Sequence, residues 1–237
     1  MKQDASRLYR FLVARFSATE TFGLHLTLGM LAMLAAGWAF GEIAEDVVSH
    51  ARITVLDASL AQYFHGYAGS RWTGFMLAVT NLHAPASVLV WSALLGIYFY
   101  RRHARDWLLT LIAAVPGGMV LNVLLKYAYH RTRPQFDHPL LTLNTYSFPS
   151  GHTVGATLFY GLLAAYLVGR VNGWAARVAL CAAACALVAL VGLSRIYLGA
   201  HYLSDVLGGV AEGAAWLAVC ITAGSTLRRR RLARLPP

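Results

Sequence analysis

The sequence predicts an all-α integral membrane protein, a bundle of six transmembrane helices with short interfacial helices in its first extracytoplasmic segment. Three observations predict it. The 237-residue chain is 58% apolar and only 13% charged, outside the range of an ordinary soluble domain. Six nearly uncharged stretches, at residues 21–40, 85–100, 107–125, 153–169, 174–193 and 202–224, mostly approach the ~20 residues that cross a bilayer as a helix. With the first residue inside, fourteen of the 20 basic residues fall on the inner side, and only Arg52, Arg71, Lys126, Arg131, Arg133 and Arg195 on the outer. That asymmetry follows the positive-inside rule and puts both termini in the cytoplasm. The net charge of +10 therefore reads as orientation rather than as nucleic-acid binding. The four arginines at 228–231 anchor the last helix at an anionic leaflet.

Residues 1–20 form a basic cytoplasmic segment, 21–225 the membrane domain, and 226–237 a basic cytoplasmic tail. The first span could be a secretory signal. It is long for one, and Gly41-Glu42-Ile43-Ala44-Glu45 is a poor cleavage site, so an uncleaved helix is expected. His25, near its inner end, reads as a packed or interfacial histidine. Residues 42–84 are polar. Within them, 55–66 and 72–79 have the pattern of short amphipathic helices on the interface. They either line a lipid entrance or simply bridge two spans, and bridging is the simpler reading. The stretch 85–100 returns inward to Arg101-Arg102-His103-Ala104-Arg105-Asp106. The next span carries Pro116-Gly117-Gly118, which permits a bend whose freed backbone groups neighbouring helices must satisfy. Trp38, Trp107 and Trp174 sit at span ends, as an aromatic belt requires. Cys181, Cys185 and Cys220 lie inside apolar spans without a histidine or CxxC partner and read as small packing residues. There is no internal repeat and no Gly-rich nucleotide loop, so ATP use has no support.

Chemistry-bearing residues gather in three places. Lys126 ends the third span, and Arg133-Pro134 follows in the outer loop; these are either a snorkelling lysine with an ordinary loop arginine or two cations converging on an anion. Pro149-Ser150-Gly151-His152 opens the fourth span. Ser150 stands at the N-cap, Gly151 allows close backbone approach, and free amides at a helix start favour an anion beside His152. A plain capped helix with an interfacial histidine would look the same. Ser194-Arg195 closes the fifth span. If the sixth begins near His201, then His201 and Asp205 share a helical face, so that the carboxylate holds one ring nitrogen and leaves the other free. That pair, too, could be a cap or a packing contact. Under the predicted topology all three clusters lie on the outer face. Three cations, a helix-start amide nest and two histidines at one membrane surface suit a phosphoryl group, since charges placed there are costly unless used or paired.

Lys126 with Arg133-Pro134, then Pro149-Ser150-Gly151-His152, then Ser194-Arg195 with His201 and Asp205 match K-x6-R-P, P-S-G-H and S-R-x5-H-x3-D at every spacing. The chain thereby resembles the type 2 phosphatidic acid phosphatase superfamily of integral-membrane lipid phosphatases. The resemblance implies His201 as the nucleophile that forms a phosphohistidine, Asp205 as the carboxylate that orients it, and His152 as the general acid. Lys126, Arg133, Arg195, Ser150 and Gly151 would cradle the phosphoryl group. It implies no metal and no other cofactor, and a lipid phosphate or diphosphate as substrate: undecaprenyl diphosphate first, phosphatidylglycerophosphate or phosphatidate close behind. A bacterial inner membrane follows from the small six-span architecture. Glu212, two turns beyond Asp205, falls outside the motifs. His130, Arg131 and His138 are candidates for head-group selection. The rival readings are a lipid phosphotransferase sharing the phosphohistidine step, a transporter, and a metallohydrolase built on the same histidines.

Overall fold

The computed structural model describes residues 23–232 and, among them, contains helices and no strand. The helices are α1 (Leu24–Val48), α2 (Arg52–His65), α3 (Arg71–Leu82), α4 (Pro85–Arg101), α5 (Arg105–Tyr129), α6 (Gly151–Val168), α7 (Trp174–Tyr197) and α8 (Leu203–Leu232). Five of them, α1 and α5 to α8, are long and apolar enough to cross a membrane, and α3 with α4, bent by 53°, passes the same test as a pair and counts as a sixth if the two form one span. The expected stretch at 85–100 is thus α4, the second limb of this bent pair. The break is local chemistry. Ala84 precedes Pro85 and takes an extended ψ of 150°, which stops α3, and Pro85 then starts α4. His83 fastens the bend: its Nδ1 lies 2.8 Å from the Val79 carbonyl and its Nε2 2.6 Å from the Tyr160 hydroxyl of α6.

Two spans run past their expected ends. Residues 21–22 lie outside the described part, but α1 continues beyond Phe40 to Val48. Phe40, Ile43, Ala44 and Val47 repeat at helical spacing and pack on Phe148, so the apolar stripe carries the helix on through Glu42 and Glu45. Similarly, α8 does not stop at 224. It carries Arg228 to Arg231 as helix, and Arg231 pairs with Asp106 at 3.2 Å.

The core lies between α4, α5, α6 and α8, where Phe99, Val115, Val154, Leu158 and Leu162 are fully enclosed. α6 is the central rod. α5 stays one helix through Pro116, and α8 supplies a group for the disturbed backbone: Trp216 Nε1 donates to the Ala113 carbonyl at 3.1 Å. α1 packs along α8, with His25 Nε2 3.2 Å from Thr226 Oγ1, so His25 is a packed residue. Its other face exposes Leu28, Leu31, Leu34 and Trp38, as a lipid-facing helix of an integral membrane protein does. Cys220 packs in the core, whereas Cys181 and Cys185 are exposed on α7, where Cys185 lines an apolar groove against α6 and α8.

α2 and α3 are more than bridges. The turn between them sits on the end of α7: Tyr197 donates to the Tyr67 carbonyl at 2.9 Å, and its hydroxyl lies 2.8 Å from Ser70 Oγ. Asp57 of α2 and Thr80 of α3 are buried and point into the site described next.

Candidate active site

The site forms where α5 ends, α6 begins and the α7–α8 connection folds back. Gly199 adopts φ +67°, and an added Cβ there would strike Phe136. This turn lets the amides of Ala200 and His201 donate back to the Arg195 carbonyl at 3.0 and 3.3 Å. His201 therefore precedes α8 instead of standing on it, which corrects the shared-face expectation. The contact to Asp205 still closes, with His201 Nδ1 3.3 Å from Asp205 Oδ2.

The three clusters meet here. Arg133 Nη1 lies 3.2 Å from His201 Nε2 and donates to the Ala200 carbonyl at 2.6 Å, while its Nε and Nη2 hold Thr145. A guanidinium only donates, so Nε2 is the accepting nitrogen and Nδ1 carries the proton toward Asp205. Lys126 Nζ donates to the carbonyls of Tyr146 and Ser147 at 2.7 and 3.2 Å. Arg195 is 2% exposed; its Nη1 donates to Thr80 Oγ1, and its Nε has no partner. His152, half-buried on the first turn of α6, stands close to His201 and within electrostatic reach of the Arg195, Arg133 and Lys126 cations. Burial first, and then the charges of Arg195, Arg133 and Lys126, push His201 well below the ordinary imidazole value of 6.5. Burial likewise lowers Arg133.

Ser150 occupies the N-cap position of α6, but its hydroxyl does not cap. It accepts from Thr153 Oγ1 at 3.0 Å, and its own amide donates to the Asp205 carbonyl at 2.9 Å. Among the described residues nothing accepts from the amides of Gly151, His152 or Thr153, so the start of α6 offers free donors of the kind that suit an anion. A Cβ at Gly151 would stand 3.0 Å from Asn122 Oδ1, so a larger residue there must push Asn122 aside.

Asp205 is fully enclosed. Its Oδ2 accepts from Ser147 Oγ and from the Tyr202 amide, and its Oδ1 from Arg131 Nη1 at 2.6 Å. Arg131 is thus a half-buried link between two carboxylates: Nη2 reaches Asp57 at 2.8 Å, and the guanidinium lies over the Tyr202 ring. His130 packs on Tyr146, and His138 is exposed in the loop. Glu212 is buried below, accepting from Asn122 Nδ2 at 2.9 Å, and the same Nδ2 donates to the Pro149 carbonyl at 3.3 Å. Sequence reasoning missed Asp57, Thr80, Asn122 and Ser147. The only prior signal was an acid on an amphipathic outer helix. Among the described residues, no three His, Cys, Asp or Glu side chains converge as a metal group.

Comparison with known proteins adds to this geometry. Residues 107–229 match the PAP2 superfamily. The chain is 34% identical over 141 residues to phosphatidylglycerophosphatase B of Bacillus subtilis, an alignment covering 58% of this chain and 68% of that protein. It is 38% identical over 144 residues to the decaprenylphosphoryl-5-phosphoribose phosphatase of Mycobacterium tuberculosis, covering 59% and 73%. Its fold superimposes on the crystal structure of a transmembrane PAP2-type phosphatidylglycerolphosphate phosphatase from Bacillus subtilis with a TM-score of 0.73 at 26% identity, over 86% of this chain and 98% of that one. The match takes in all three clusters and the helices that carry them, so the chain belongs to the PAP2 superfamily and is a phosphate-ester hydrolase.

Proposed function

We propose that the protein removes a terminal phosphate from a membrane-anchored lipid phosphate or diphosphate, at the extracytoplasmic face of a bacterial inner membrane, through a phosphohistidine on His201. The observation that carries this reading is the environment of the His201 ring: Nδ1 is held by Asp205, while Nε2 faces Arg133 under three cations. An incoming phosphate takes over the Arg133 donor and frees the Nε2 lone pair. Nε2 then attacks phosphorus, and His152 gives its proton to the departing oxygen. In the second step His152 takes a proton from water, which displaces His201 and releases inorganic phosphate. Lys126, Arg133, Arg195, Ser150 and the Gly151 amide would steady the charge of the five-coordinate phosphorus, a role in which protein cations replace a metal.

An apolar groove of about 740 Å³ between α6, α7 and α8 reaches Ile196, next to Arg195, and Leu203, two residues beyond His201. This supports a lipid tail held among helices with its phosphate at the turn. One relative is named for a glycerophospholipid and one for a polyprenyl lipid, so both tail classes remain in view, with undecaprenyl diphosphate the leading substrate. The test is phosphate release by purified protein from a panel of polyprenyl diphosphates, phosphatidylglycerophosphate and phosphatidate. Release is expected to persist in chelator, to stop with vanadate, and to vanish in a folded His201→Ala protein that no longer traps an acid-labile phosphoenzyme. Substantial hydrolysis by that variant would remove the nucleophile assignment.

A further inference from the structure

Two members of the ion network beside the histidines, Arg131 and Asp57, have no part in the steps above. Arg131 lies between two enclosed carboxylates, Asp205 at 2.6 Å and Asp57 at 2.8 Å, exposed 0% and 1%. Asp57 comes from α2, and it also accepts from the Ser204 amide at 2.9 Å and from the Ser204 hydroxyl, closing the N-terminus of α8. Arg131 in turn donates to Ser204 Oγ at 2.6 Å. Both terminal nitrogens of Arg131 and both carboxylate oxygens of Asp57 bond to another member or to Ser204 in the first turn of α8.

Resting on the phosphohistidine reading, we infer that Asp57 and Arg131 are positioning residues that act on His201 through Asp205, and that Asp57 is there to keep the cluster negative. The argument is one of charge. Arg131 with Asp205 alone would be a neutral pair, and a neutral pair hardly offsets the positive ring of a phosphorylated imidazole. With Asp57 the two carboxylates and one guanidinium carry a net −1. That remaining charge faces the Nδ1 side of a ring whose other surroundings are the cations Lys126, Arg133 and Arg195. Arg131 fixes Oδ1 of Asp205 and leaves Oδ2 turned to the histidine, with Ser147 and the Tyr202 amide fixing the same oxygen. In a site this enclosed, charges of either sign are screened less than at the protein surface.

The test is a comparison of kcat and KM for the purified wild type, Asp57→Asn, Arg131→Gln and the double variant. Asp57→Asn keeps an acceptor for the Ser204 amide but makes the cluster neutral. Its kcat should fall about 10- to 100-fold with KM within about threefold, short of the ~10⁴-fold cost of altering the carboxylate that touches a reacting histidine. Removing Arg131 as well returns the net charge to −1. The double variant should therefore be about tenfold faster than Asp57→Asn, a coupling that a purely structural role would not produce. A double variant no faster than the single one overturns the inference. Should Asp57→Asn fail to fold, the charge-conserving Asp57→Glu is expected to fold and keep kcat within about tenfold of wild type; inactivity of that folded protein is equally fatal. His201→Ala, assayed alongside, separates the two readings: turnover surviving there removes the nucleophile itself, whereas its loss together with a failed rescue removes only the role of Asp57.

Discussion

At His201 the two ring nitrogens are told apart by their neighbours, and this has a consequence for pH. The folded protein keeps the ring neutral far below 6.5, because it is enclosed and surrounded by Arg195, Arg133 and Lys126. The unfolded chain protonates it near 6.5. Between those two values the unfolded state binds more protons, so stability rises with pH across this window and is lost as pH falls from about 6.5 toward the folded value. Thermal unfolding in detergent at about pH 7.5 and pH 5 should show the wild type losing more on acidification than His201→Gln; equal losses would remove the link. For the same reason the acid limb of kcat/KM due to His201 should lie below pH 6.5. The residues named by the three motifs could be found in the sequence because each lies within a few positions of its motif partners. Asp57, Asn122 and Ser147 could not: their partners Ser204, Glu212 and Asp205 are 147, 90 and 58 positions away, and only folding pairs them.

The P-S-G-H turn is set by how closely α8 passes it. Gly209 is the point of approach: an added Cβ would stand 2.8 Å from the Ser150 carbonyl and 3.2 Å from Thr153 Cβ. The obstacle is backbone on one side and a β-branched residue on the other, so neither can turn aside. Gly209→Ala should push the two helices apart, stretch the Ser150 amide bond to the Asp205 carbonyl, and cost about 1–3 kcal/mol. Gly37 on α1 has open space around its Cβ position, and Gly37→Ala should leave stability unchanged or up to ~1 kcal/mol higher. Unfolding and turnover measured on both decide it; a Gly209→Ala protein with wild-type turnover would mean the spacing does not matter. Spans are legible from hydropathy because lipid selects apolar residues regardless of partner. The overrun of α1 and the inward role of α2 are not, since both depend on what a polar helix packs against, Phe148 in one case and Arg131 in the other.

The length of α8 relates the site to the membrane. Asp205 and Arg228 are 23 residues apart on this helix, about 35 Å along its axis. The hydrocarbon layer is about 30 Å thick, so a helix crossing it cannot keep both residues on one side. α5 repeats the measure in the opposite sense. Asp106, paired with Arg231, and Lys126 in the site are 20 residues apart, about 30 Å. The arginines of α8 and the candidate site therefore lie at opposite ends of the crossing helices, and the excess of basic residues on the Arg228 side predicts, by the positive-inside rule, that this side is the cytoplasmic one. This can be checked by labelling. In a background with Cys181, Cys185 and Cys220 changed to alanine, Gln135→Cys in the loop beside Arg133 should react with an impermeant thiol reagent on intact spheroplasts. Arg228→Cys should react only after the membrane is opened. The opposite pattern would turn the site toward the cytoplasm, and with it the side from which the lipid phosphate must be presented.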